Sequence, residues 1–122
     1  MALAIVKRFF SGSTDGLPVE IATTASNSAN LHVGPTSTNV LDEIHLFASI
    51  DTGATNTADN TITLLINSSC YSLDIPAYAV DYPILSGFPL WGRSASGTVL
   101  HVYGSSTAGV FLHGYVNRIT ET

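Results

Sequence analysis

Charge is scarce in this chain. Asp, Glu, Lys and Arg make up 11% of its 122 residues, against about 25% in a typical soluble domain. Only Lys7, Arg8, Arg93 and Arg118 are positive, and the formal net charge is −5. Nucleic-acid binding needs clustered cations that displace counterions from phosphates, so no nucleic-acid partner is expected. An anionic membrane surface is disfavoured for the same reason. Cysteine is limited to Cys70, which excludes an intramolecular disulfide and a thiolate-rich zinc site. No apolar run approaches the roughly 20 residues of a membrane helix. Near Met1 the apolar residues precede Lys7 and Arg8, the reverse of a secretory signal, and the run is too short for a signal core. These features predict a soluble chain made in the cytoplasm. Glycine-rich phosphate loops, nucleophile elbows and carboxylate pairs at catalytic spacing are also missing, so neither cofactor, metal nor catalytic residue is expected.

Ser, Thr and Asn take the place of the missing charge, while 45% of residues are hydrophobic. That mixture suits strands and turns better than helices. The length fits one domain with its own core. Gly97 to Ile119 is the clearest architectural segment. Two β-branched and aromatic runs, Thr98–Tyr103 and Val110–Ile119, flank the small polar segment Gly104–Gly109, which predicts a central hairpin. In the second run Val110, Leu112, Gly114 and Val116 point one way, and Phe111, His113, Tyr115 and Asn117 the other. Neither side is charged, so both are expected to be covered, one by a second sheet and one by a subunit or partner.

Further strands are expected at Leu17–Thr24, around Leu31–Val33, at Val40–Ile50, Thr61–Ile66 and Cys70–Ile75. In Val40–Ile50, Ile44, Leu46, Ala48 and Ile50 alternate with His45, Phe47 and Ser49. Ala77–Arg93 is apolar, but Pro83 and Pro89 speak against a helix or central strand there. It is expected to be an irregular packed loop or interface segment. The fold class is all-β, a β-sandwich or jelly-roll-like barrel of about 6–8 short antiparallel strands. Residues 1–16 form an N-terminal arm and flexible connector, and residues 17–122 the sandwich. The arm, with Phe9 and Phe10, either adds an edge strand to its own sandwich or engages a neighbour.

Few motifs hint at chemistry. Asp51-Thr52-Gly53 resembles the catalytic triplet of retroviral-type aspartic proteases, in which two such aspartates share a proton. The polar residues after Ala54 and the lack of a glycine-rich flap depart from that family, and a strand-to-turn signal is the better reading. His101 and His113 could face each other across the expected hairpin, without an evident third metal ligand. Histidines satisfied by hydroxyls or backbone are the simpler expectation, as is a small buried Cys70. Tyr78, Tyr82, Phe88 and Trp91 could stack on a sugar or pack beneath a loop.

Tyr82-Pro-Ile-Leu-Ser-Gly-Phe-Pro-Leu-Trp-Gly92, Thr98-Val-Leu-His-Val-Tyr103 and Val110-Phe-Leu-His-Gly-Tyr-Val-Asn-Arg-Ile119 resemble small virion proteins of tailed bacteriophages, the capsid decoration (cement) and head-associated proteins. The resemblance implies a non-enzymatic structural protein on the outer capsid surface. It would bind the major capsid protein as a homo-oligomer, most often a trimer, and stabilise the head. The arm would suit attachment, so removing Ala2–Phe10 is expected to abolish it while leaving the sandwich folded. Candidate capsid or subunit contacts are Leu3, Ile5, Val6, Phe9, Phe10, Tyr82, Phe88, Leu90, Trp91, Phe111 and Tyr115. The alternative is a carbohydrate- or receptor-binding module of a phage tail or fibre.

Overall fold

Alternating apolar and polar residues with few helix formers fold into two antiparallel sheets in the computed structural model. The described residues are 3–21, 30–50, 60–66, 69–76, 79–92, 97–104 and 109–121. They contain nine strands: β1 (Leu3–Arg8), β2 (Val19–Glu20), β3 (Asn30–Val33), β4 (Val40–Ile50), β5 (Asn60–Ile66), β6 (Ser69–Ile75), β7 (Tyr82–Trp91), β8 (Val99–Gly104) and β9 (Val110–Glu121). One sheet runs β1-β9-β4-β7, with β2 pairing the same edge of β9 as β1; the other runs β3-β8-β5-β6. The all-β expectation holds, and no helix occurs among the described residues.

The core forms where inward-facing rows of the two sheets meet. Ile44, Leu46, Ala48 and Ile50 of β4 and Val110, Leu112 and Val116 of β9 face Ile62, Leu64 and Ile66 of β5 and Leu100 and Val102 of β8. Enclosing one of these Val, Leu or Ile side chains contributes about 1.5–3 kcal/mol relative to leaving it in water. The alternation read from the sequence in β4 and β9 is therefore the actual division between core and outer face.

The expected β8–β9 hairpin does not form. β8 pairs with β3 and β5, whereas β9 pairs with β1, β2 and β4, so the two strands belong to different sheets. The glycine-bounded spacing fits a sheet-to-sheet crossing as well as a tight turn, and local pattern alone does not separate them. The strand expected at Leu17–Thr24 is reduced to β2 within the described residues.

Ala77–Arg93 is not irregular throughout, because Tyr82–Trp91 forms a ten-residue strand. Among the described strands it lies at a sheet edge and pairs with β4, with register shifts at Ile44/His45 and Leu46/Phe47. Pro83 and Pro89 fit there because an edge strand has one side free of ladder bonds, so a missing N–H costs little. Cys70 is exposed on the other sheet's edge strand β6, not buried.

β1 is the arm's principal element. It pairs in register from Leu3↔Glu121 to Arg8↔Val116, as an edge strand of its own sheet. All six residues are exposed on both faces, so β1 overhangs the second sheet. The chain then dips inward, burying Phe10 at 3% exposure.

Candidate attachment face and cleft

The outer face of the larger sheet is a ladder of cross-strand pairs. Register places Glu43 beside Asn117, His45 beside Tyr115, Phe47 beside His113 and Ser49 beside Phe111. His45 stacks on Tyr115 with ring centroids 4.7 Å apart, and Phe47 on His113 at 5.8 Å. Lys7 Nζ lies 4.2 Å from the Tyr115 ring centroid, a cation–π contact. Glu43 Oε1 is 2.6 Å from His45 Nε2 and accepts from the Asn117 amide at 3.3 Å. Those two hydrogen bonds, His45's first, hold the Glu43 carboxyl below its ordinary range. Near His113, Asp81 Oδ1 is 3.0 Å and Ser49 Oγ 3.3 Å from Nε2.

An apolar row crosses this face at one end. Ile5 sits beside Ile119, Ile119 beside Leu41, and Leu41 beside Trp91, spanning β1, β9, β4 and β7. Ile5 and Trp91, at its two ends, are 65% and 45% exposed. Leu3, Val6 and Phe9 extend the exposed apolar surface at 62%, 53% and 63%.

The sequence-nominated contacts therefore divide. Leu3, Ile5, Val6, Phe9 and Trp91 are exposed, while Phe111 and Tyr115 are half-buried on the outer face. Tyr82 and Phe88 pack against the core from the inner side of β7. Phe10 and Leu90 do not qualify, because both are enclosed in the chain's own core. His101 and His113 lie in different sheets, which removes them as a metal pair; among the described residues the buried His101 Nδ1 has no hydrogen-bond partner. Among the described residues no three His, Cys, Asp or Glu side chains converge as a metal site. Asp51, Thr52, Gly53 and Tyr78 lie outside the described residues.

Sequence reasoning missed a buried ionic cluster. Asp42, with no exposed surface, accepts from Arg118 Nε at 2.7 Å and Nη2 at 2.8 Å. Its Oδ2 also lies 2.7 Å from His32 Nε2. Ser11 N–H donates to His32 Nδ1 at 3.1 Å, so Nε2 carries the ring proton and donates to Asp42. A register shift in β3 between Asn30 and His32 turns both Leu31 and His32 inward. Ser11 Oγ accepts from Val33 N–H at 2.8 Å instead of facing His32. Ser11, His32 and Asp42 thus clamp the arm to β3 and lack the geometry of a nucleophilic triad. A signal was present: Asp42 stands in an inward position of an otherwise apolar alternation, and Arg118 two places after Val116.

Burial alone would raise the Asp42 pKa, but the hydrogen bonds from Arg118 and His32 and the Arg118 charge outweigh it, leaving the carboxyl below its ordinary value. The same pair raises Arg118. Because the folded-state pKa of Asp42 lies below the unfolded value near 3.8, its stabilisation is fully present above that pH. It fades as pH falls through the folded-state pKa. Acid unfolding followed by circular dichroism should show this loss below the ordinary carboxylate range, and Asp42→Asn should flatten that part of the profile. An unchanged profile in the variant would remove Asp42 as its source.

Beside the cluster lies an open cleft of about 1040 Å³, bounded by the end of β1, the following segment through Gly16, β3 and β9. Lys7, Arg8 and Arg118 all line it, together with Phe9, Ser11 and Thr36.

No family model matches the chain, and no curated protein matches it. Among solved structures, an acetyl xylan esterase from the rumen bacterium Butyrivibrio proteoclasticus is similar at 12% identity, with a TM-score of 0.37. The match covers 99% of this chain and 32% of that one. So distant a likeness carries no argument about activity.

Proposed function

We propose that this chain is a non-enzymatic structural protein of a bacteriophage virion, a capsid decoration protein that binds the major capsid protein on the outer shell as a trimer. The observation that carries the reading is the apolar row Ile5–Ile119–Leu41–Trp91, continuous with an edge strand exposed on both faces. The row itself holds no ion to desolvate on contact, and an overhanging edge strand can bury apolar side chains against a shell from both sides. Exposed ladder groups on β1 add the means for strand addition.

Deleting Ala2–Phe10 is a poor test, since Phe10 belongs to the core. The better variant replaces Leu3, Ile5 and Val6 together with threonine, which keeps strand propensity. Co-sedimentation with phage heads prepared without the protein should fall at least about tenfold, roughly 1.4 kcal/mol of binding. The melting temperature should stay within a few degrees, because exposed substitutions cost about 0.5 kcal/mol or less each. Undiminished head binding would overturn the role of β1.

A carbohydrate- or receptor-binding module is the second reading, favoured by the cleft beside Phe9.

A further inference from the structure

We propose that the cleft between β1, β3 and β9 binds a carboxylate-bearing sugar, with Arg8 and Arg118 taking the carboxylate and Phe9 the ring face. Charge distribution is the first ground. The chain carries net charge −5 and only four Lys or Arg residues, yet three of them line this one cleft. Lys7 and Arg8 are neighbours in sequence, β1–β9 pairing brings Arg118 beside them, and a cationic concavity concentrates anions. Arg118 is held side-on by Asp42 through Nε and Nη2, which leaves its Nη1 end outside that pair. Asp42 itself is fully buried and shared between Arg118 and His32, so it presents no repelling surface to the cleft. Arg8 is exposed, and no carboxylate pairs with it among the described residues. Its planar guanidinium suits bidentate recognition of a carboxylate.

The second ground is the wall chemistry. Phe9 packs against Gly16 yet remains 63% exposed, so a ring face is available for the apolar side of a pyranose. Ser11 Oγ accepts from Val33 N–H, and among the described residues its own hydroxyl proton is not donated elsewhere. Thr36 adds a second exposed hydroxyl on the lining. A simple inorganic anion would use the cations but leave Phe9 idle; a neutral sugar would use Phe9 and the hydroxyls but leave the cations idle. An acidic sugar uses both sets.

This inference stands apart from attachment through β1, since Leu3, Ile5 and Val6 do not line the cleft. Failure of one leaves the other intact. Isothermal titration of the full chain with trigalacturonate, with maltotriose as the neutral control, tests it at fixed ionic strength. Binding of trigalacturonate is expected, without measurable binding of maltotriose. Arg8→Gln should weaken it about tenfold, and Phe9→Ala should weaken it comparably while the circular dichroism stays unchanged. Both side chains are exposed, so Arg8→Gln serves even if Phe9→Ala perturbs the loop. No binding of trigalacturonate, equal affinity for the two sugars, or parent affinity retained in Arg8→Gln would overturn the proposal. Displacement of the sugar by equimolar inorganic phosphate would also overturn it, because the site would then be a general anion cleft.

Discussion

Gly114→Ala is expected to lower the unfolding free energy by about 3 kcal/mol or more, near the top of the range for single substitutions. Gly114 sits in the middle of β9, opposite Leu46 on β4, with φ of 148°. Side chains other than hydrogen are strained at that dihedral, at a cost of about 1–3 kcal/mol. A Cβ there would also collide with the His45 carbonyl oxygen, and the nearest atoms are all backbone of the central strand pair. The strand cannot yield without disturbing the β4–β9 ladder, which holds Ile44, Leu46, Leu112 and Val116 of the core in place. For a domain of this size the loss corresponds to roughly 10 °C in melting temperature. Calorimetry of the purified variant reads it directly, and a shift of less than about 3 °C would show that the strand relaxes around the methyl group.

Asp42→Ala should cost about 3–5 kcal/mol, because it strands the Arg118 guanidinium and the His32 N–H beside a vacated carboxylate. The informative comparison is Asp42→Leu with Arg118→Met. Removing both charges avoids the unpaired ion, so the double variant should be clearly more stable in urea than Asp42→Ala. His32 Nε2–H still loses its acceptor there, and recovery should therefore fall short of the parent. A double variant no better than Asp42→Ala would mean that shape, not charge pairing, holds this corner together.

These two sites mark how far the sequence could be read. The inward and outward rows of β4 and β9 were legible because alternation has a period of two and each strand is long enough to show it. Pairing between strands was not. The runs that became β8 and β9 look like a hairpin, yet their partners are β5 and β4, chosen by long-range packing that no local turn signal encodes. The prolines of β7 correctly argued against a central strand but left the edge possibility unread. Gly114 reads in sequence only as a small member of an inward row; its dihedral and its approach to His45 are properties of the folded pair. For the proposed attachment surface, the apolar residues of β1 and Trp91 are nominated by sequence, whereas Ile119 and Leu41, which join them into one row, emerge only from register. The cleft was invisible because Lys7, Arg8 and Arg118 lie at opposite ends of the chain and meet through β1–β9 pairing.

We propose β1 and the adjoining row as the surface by which this protein joins a larger assembly. Hydrogen exchange read by mass spectrometry, on the chain free and bound to phage heads, tests it most directly. In the free chain the β1 amides should exchange fast for a strand, since both of its faces are open to water. On the heads, Leu3–Arg8 should become strongly protected, with lesser protection at Leu41 and Ile119. Protection confined to other segments, or no change at Leu3–Arg8 in head-bound protein, would contradict the account.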